Sequence, residues 1–99
     1  MGAQGTATLD FGASPGAFDT SVAVTGQSGI VSGSLAEAWI RPVASADHTA
    51  DEHLVERIRV VAGNIVAGTG FTIYGYSQSE QNGILTKLYG QWTIAWAWN

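Results

Sequence analysis

The stretch Tyr89–Asn99, which reads YGQWTIAWAWN, decides the fold of this chain. Large apolar residues alternate in it with small or polar ones. In an extended strand this places four large side chains on one face, Trp92, Ile94, Trp96 and Trp98. Chain ends that remain in water are usually polar. We therefore expect this aromatic strand to be buried, either in the core of its own domain or against a neighbouring subunit.

The same alternation recurs upstream in shorter pieces separated by turns. It predicts strands at Thr6–Phe11, Phe18–Thr25, Leu35–Val43, Leu54–Ala62 (from Arg57 onward), Phe71–Ser77 and Leu85–Asn99, the last interrupted at Gly90. Glycine-rich or polar segments between them are predicted to be loops, at Gly12–Gly16, Gly26–Ser34, Gly63–Gly70 and Ser77–Gly83. Residues 1–5 are predicted to form a flexible arm.

The polar segment Ala44–His53 interrupts this series of strands. Within it, Thr49 is followed three residues later by Glu52, which is the spacing of a helix capping box. The sequence therefore predicts one short helical turn near residues 48–54. Together these patterns predict an all-β domain over residues 1–99, a small antiparallel sandwich or barrel of six to seven strands.

Composition limits the classes of function. Only 12% of the residues are charged and 13 are glycine, whereas charged residues make up about 25% of a typical soluble domain. Such a surface suits a subunit of an assembly better than a free monomer. The net charge is −4 with four basic residues, too few for a phosphate-binding patch, so we expect no direct nucleic-acid partner. No apolar run is long enough for a transmembrane helix, so no membrane partner is expected.

One dense cluster of ionisable residues is a candidate for chemistry: Asp47, His48, Asp51, Glu52 and His53. On a helical turn His48 and Glu52 would be neighbours able to chelate an ion. The spacing matches neither a zinc-protease helix nor a calcium loop, however. A solvated loop with a helix cap, or a loop that contacts another subunit, explains the cluster without metal. With no cysteine and no nucleophile motif, we predict a non-enzymatic protein without cofactor or metal.

The aromatic residues in strands allow three interpretations, namely core, protein interface, or a stacking platform for sugars. The two arginines in the fourth predicted strand could anchor an interface, where arginine is enriched, or could pair across strands with Glu37. We predict these interface residues: Trp39, Arg57, Arg59, Tyr74, Tyr76, Trp96 and Trp98.

Several segments together resemble small structural proteins from the particles of tailed bacteriophages. The segments are ATLDFG (Ala7–Gly12), VTGQSGI (Val24–Ile30), EAWI (Glu37–Ile40), ADHTADEH (Ala46–His53), GTGFTIYGY (Gly68–Tyr76) and the ending at Trp96–Asn99. The resemblance implies a β-rich accessory subunit located in the virion. It carries no catalytic residues onto this chain.

This resemblance leads to an expected function, a capsid cement or decoration protein that stabilises the shell. Its partners would be the major capsid protein and further copies of itself, for example in a trimer. A tail, neck or baseplate subunit is the first alternative. A carbohydrate-binding module for host adhesion is the second, because tyrosine and tryptophan rings also stack on sugars.

Overall fold

The computed structural model describes residues 2–99 and confirms the all-β class, with 51% of residues in strands and 6% in helix. The elements are β1 Ala3–Asp10, β2 Asp19–Val24, β3 Ala36–Ile40, α1 Ala50–Val55, β4 Ile58–Val66, β5 Gly70–Ser77, β6 Glu80–Gln81, β7 Ile84–Leu85 and β8 Gln91–Trp98. Within residues 2–99 no helix is long and apolar enough to cross a membrane.

Six of the strands form two antiparallel three-stranded sheets, and the other two form a hairpin. The first sheet has the order β1-β8-β3, the second has the order β2-β5-β4, and β6 pairs with β7. The sheets pack face to face like a sandwich, with β8 and β5 at their centres. The hydroxyl of Thr20 on β2 donates to the carbonyl oxygen of Asp10 on β1 at 2.9 Å, linking the two sheets at one side.

The aromatic face of β8 lies in the core of its own domain. Trp92, Ile94, Trp96 and Trp98 are all at most 8% exposed. The ring of Phe71 on β5 meets Trp96 edge to face, with centroids 5.6 Å apart. The buried indole N–H groups all have acceptors, as their burial requires. The aromatic strand is therefore buried in the core of its own domain, and not against a neighbouring subunit.

The predicted flexible arm is wrong for the residues that the structure describes. Ala3–Gly5 belong to β1 and pair with Trp96–Trp98 of β8. The physical reason lies at Gly5, because a Cβ placed there would be 2.6 Å from a ring atom of Trp96. Because residue 5 is a glycine, the indole of Trp96 can lie against β1. The pairing of β1 with β8 therefore extends back to Ala3. Met1 lies outside the described residues.

The predicted helical turn is present as α1, with Thr49 as its N-cap. The Thr49 side chain accepts from the Glu52 backbone N–H while the Glu52 carboxylate accepts from the Thr49 N–H, which completes the capping box. The helix extends to Val55, so Leu54 lies on it and is 68% exposed. The strand that follows begins at Ile58, close to its predicted start at Arg57. The capping box outweighed the apolar alternation that follows it.

Two predicted loops are partly strand. β4 continues through Val66 past an irregularity between Gly63 and Val66, where Asn64 has a φ of 53°. A β-bulge accommodates glycine and asparagine within a strand. The same residues had led to the prediction of a loop at Gly63–Gly70. The segment after Ser77 forms the β6-β7 hairpin, whose Asn82–Gly83 turn has both φ values positive. The final strand begins at Gln91, after Gly90, and not at Leu85.

Candidate interaction surface

The structure separates the predicted interface residues into a buried pair and an exposed group. Trp96 and Trp98 are 7% and 8% exposed in the single chain. Their indole N–H groups donate inside the domain, to the carbonyl of Thr6 and the side chain of Gln27. We therefore correct their assignment, because both rings are already buried inside the single domain. The remaining five lie at the surface.

Tyr76 lies on the central strand of the second sheet, near one end of its outer face. It lies on β5, opposite Asp19 of β2 on one side and opposite Arg59 of β4 on the other. The Arg59 guanidinium carbon lies 5.9 Å from the centroid of the Tyr76 ring, in cation–π contact. This row therefore carries a negative charge, an aromatic ring and a positive charge side by side.

Tyr74 is the next outward residue along β5 and extends the aromatic surface. Its cross-strand neighbours are Ser21 on β2 and Val61 on β4. Tyr74 is 40% exposed and Tyr76 is 37% exposed. Together with Asp19 and Ser21, the two rings line a shallow depression between β2 and β5.

Arg57 and Trp39 lie at the margins of this face. Arg57 lines a second depression with Tyr76 and Leu85, so it sits between the second sheet and the base of the hairpin. Trp39, on β3 of the first sheet, is 47% exposed. It lines the groove between β3 and β4 together with Val61. An exposed strip thus runs from Tyr74 through Val61 and over the edge of the sandwich to Trp39.

The suggested ion pair between Glu37 and an arginine is absent from residues 2–99. The ion pair within these residues joins His48 to Glu52 instead. β3 hydrogen-bonds with β8 and not with β4. Glu37 is therefore not in register with either arginine, and Arg59 turns toward Tyr76.

The ionisable cluster is not a solvated loop, because both of its histidines are buried. His48 is 5% exposed and His53 is 3% exposed. The His48 ring stacks on Trp92 with centroids 3.8 Å apart. Its Nε2 donates to the carbonyl oxygen of Tyr89 at 2.7 Å, and its Nδ1 lies 2.9 Å from Oε2 of Glu52. This hydrogen bond with His48, and then the Thr49 N–H, hold the pKa of Glu52 below its usual value.

His53 supplies a hydrogen-bond acceptor where a strand is missing. β3 ends at Ile40, and the Arg41 N–H makes the last bond to the Thr93 carbonyl at 3.0 Å. The Arg41 carbonyl instead accepts from Val43 N–H across Pro42. The Thr93 N–H therefore donates to Nε2 of His53 at 2.9 Å. Since a backbone N–H only donates, the proton of this imidazole sits on Nδ1, which donates to Thr49 O at 2.7 Å.

Two neighbouring side chains extend the same arrangement along β8. The Gln91 N–H donates to Oδ2 of Asp47 at 2.7 Å, and the Ser45 hydroxyl donates to the Gln91 carbonyl at 2.5 Å. We call Ser45, Asp47, His48 and His53 the edge cap, because these side chains hydrogen-bond with the backbone of Tyr89, just before β8, and of Gln91 and Thr93 at its start. Satisfying an open edge in this way protects it from pairing with another chain.

The edge cap gives the ionisable cluster a structural role that needs no metal ion. Both ring nitrogens of His48 and both of His53 are engaged inside the domain. Among residues 2–99 no group of three or more metal-binding side chains is placed to hold an ion. The sequence did contain a signal for the edge cap. Pro42 ends β3 beside the first residues of β8, so the backbone groups of those residues need hydrogen-bond partners other than β3. Residues 45–53 contain the side chains that can supply them.

Comparison with known proteins adds no relative. No family model, no curated protein and no solved structure matches this chain.

Proposed function

We propose that this chain is a structural subunit of a bacteriophage particle, and specifically a capsid cement protein that joins neighbouring capsid proteins. The observation that carries the proposal is that large apolar side chains are exposed on several separate parts of one small domain. A protein that bridges neighbours needs contact surfaces on more than one side. The resemblance of its segments to small virion proteins supplies the phage context.

The exposed apolar residues fall into distinct places on the fold. The strip from Tyr74 to Trp39 crosses one side of the sandwich. On α1, Leu54 and Val55 are 68% and 77% exposed, and on the hairpin Ile84 is 70% exposed. Burying such surface stabilises a contact by about 25 cal/mol per Å2 before the costs of association. Many copies on one shell would make individually weak contacts effective together.

The proposed partners are the major capsid protein and other copies of this chain, on the outer surface of the virion. A tail, neck or baseplate subunit would use the same kinds of contact in a different symmetry. Copy number distinguishes these locations, because a shell offers hundreds of equivalent sites and a tail or neck offers a single ring.

A carbohydrate-binding role is the second candidate, and the depression lined by Tyr74, Tyr76, Asp19 and Ser21 favours it. Aromatic rings beside a carboxylate and a hydroxyl suit the apolar faces and hydroxyl groups of a sugar. Against this, the Arg59 guanidinium already lies over the Tyr76 ring. A bound sugar would have to share or displace that contact.

Cryo-electron microscopy of the particle made by the phage that encodes this chain tests the proposal. We expect density for the domain over the capsid lattice in hundreds of copies. A single ring at one vertex would move the assignment to the neck or tail. Absence of the chain from purified particles would overturn the virion proposal, and glycan binding would then be tested next.

A further inference from the structure

We infer that the outer face of the second sheet is a self-association surface, on which a second copy of this chain packs in a two-fold dimer. This inference deepens the proposed function, on which its role in a virion rests, because it names the surface through which copies would meet. The dimer itself is a property of the isolated chain. It can therefore be tested without any particle.

The charges on this face are self-complementary. Asp19 on β2 and Arg59 on β4 lie in the same cross-strand row, on opposite sides of Tyr76. Their strands are about 10 Å apart, with β5 between them. Within residues 2–99 neither side chain forms an ion pair. Asp19 therefore has its charge free for a partner, and the Arg59 guanidinium contacts only the Tyr76 ring and no carboxylate.

A two-fold axis running close to parallel with β5 matches the opposite charges. Rotation about that axis places β4 of the second copy over β2 of the first, and the reverse. The partner's arginine at position 59 then faces Asp19, and the partner's aspartate at position 19 faces Arg59. The same operation brings the tyrosines of the two copies together along the axis. A two-fold interface of this kind needs one surface that complements itself.

The shape of the face is compatible with this packing. Beyond Tyr74 its outward positions carry small side chains, Ala23 on β2 and Thr72 on β5, beside Gly63 on β4. Sheets pack face to face at about 10 Å when such surfaces meet. The face spans about 14 by 20 Å, from three strands of six residues. An area this small makes a weak dimer whose population depends on concentration.

Charge reversal with analytical ultracentrifugation tests the inference. We expect the wild-type chain to dimerise reversibly below about 1 mM. Asp19→Arg alone and Arg59→Asp alone should each weaken dimerisation at least about tenfold, because each creates two like-charge contacts in the symmetric dimer. The double variant D19R/R59D should restore the wild-type affinity, since it exchanges the charges and keeps their complementarity.

Mixing the two single variants gives the sharpest result. In a mixed dimer every charged contact is again between opposite signs, so the D19R and R59D chains should associate with each other more strongly than either associates with itself. Glu37→Lys, on the outer face of the first sheet, is the matched control and should leave the dimer unchanged. All these positions are exposed, and thermal melts check that every variant is folded.

Three outcomes would overturn the inference. One is a wild-type chain that stays monomeric up to about 1 mM. Another is a dimer insensitive to both single reversals, and the third is a mixture that behaves like its separate components. If the monomeric chain instead shows NMR shifts at Tyr74 and Tyr76 on addition of oligosaccharides, the face binds glycans. A dimer in solution combined with absence from particles would refute the virion proposal and leave this inference standing.

Discussion

His53 acts in this fold as a substitute for a backbone carbonyl. Its Nε2 accepts the Thr93 N–H that β3 would satisfy if the strand continued past Ile40. Its Nδ1 is tied to Thr49, so the ring cannot turn without losing both bonds. At the level of single residues, side chains of the polar cluster therefore replace the hydrogen bonds of a missing strand. Its two histidines stabilise the fold in this way.

Replacing His53 with phenylalanine should remove both hydrogen bonds while keeping an aromatic ring beside Trp92. The Thr93 N–H would then be buried without an acceptor, which costs about 1–3 kcal/mol of the free energy of unfolding. Urea unfolding measures the loss, and hydrogen exchange should show reduced protection at the Thr93 amide. His53→Gln, which offers both an acceptor and a donor, should recover part of it. Unchanged exchange at Thr93 in H53F would show that the cap is not needed there.

Glu52 makes stability depend on pH in a defined direction. Its pKa is lowered in the folded chain, from a usual value of 4.5, mainly by the hydrogen bond with His48. The folded state thus binds this proton more weakly than the unfolded state. The carboxylate therefore stabilises the fold above the usual pKa, and this contribution is lost as the pH falls through the lower folded value.

The variant Glu52→Gln isolates this effect because glutamine keeps the capping acceptor and cannot ionise. We expect the difference in melting temperature between wild type and E52Q to be largest near neutral pH and to shrink as the pH falls below 4.5. Thermal melts from pH 7 downward, in matched buffers, measure it. A difference that stays constant across this range would mean that the ionised carboxylate contributes nothing.

At the scale of elements, β1 begins earlier than its sequence suggests because of what lies beside it. A start rich in glycine and alanine has no apolar alternation to mark a strand. Its pairing with β8 depends on the ring of Trp96 fitting against Gly5, which is a contact with a residue 91 positions later. Apolar alternation predicted the strands whose own sequences alternate. It could not predict the start of β1, whose apolar contact is supplied by Trp96 of another strand.

Gly5→Ala tests whether this start is strand or arm. A Cβ there would lie 2.6 Å from the Trp96 ring, so we expect a loss of about 1–3 kcal/mol in the free energy of unfolding from overpacking. Gly33→Ala is the matched control, because nothing lies within 4 Å of its added Cβ. Chemical denaturation of both variants decides the question. A flexible arm would make the two substitutions equally mild.

The sequence predicted the element types better than the candidate surface, for a physical reason. Strand alternation fixes which residues share a face, and Tyr74 and Tyr76, two positions apart on β5, do lie on the same one. It does not fix whether a face points inward or outward. Trp96 and Trp98 were placed at an interface by their position in the chain alone, while β1 and β3 on either side make β8 a central strand. Centrality in a sheet depends on long-range pairing that one strand's pattern cannot reveal.

At the scale of the whole molecule, exposure separates one tryptophan from the other three. Trp39 is 47% exposed, whereas Trp92, Trp96 and Trp98 are at most 8% exposed. We expect Trp39→Phe to remove most of the tryptophan fluorescence that acrylamide can quench, with little change in the free energy of unfolding. Trp92→Phe, the matched core variant, should leave the quenchable fraction intact. Equal quenching of all four indoles would contradict this division between core and surface.

The position of β8 between β1 and β3 also has a consequence for how the protein is made. β8 follows both of its neighbours in the chain, so the first sheet has no centre until the last of its strands has been synthesised. Until then β1 and β3 have no common partner, and the apolar side of the second sheet has nothing to cover it. The first sheet can therefore form only after β8 has been synthesised, and a chain cut short before Gln91 leaves this apolar surface exposed to aggregation.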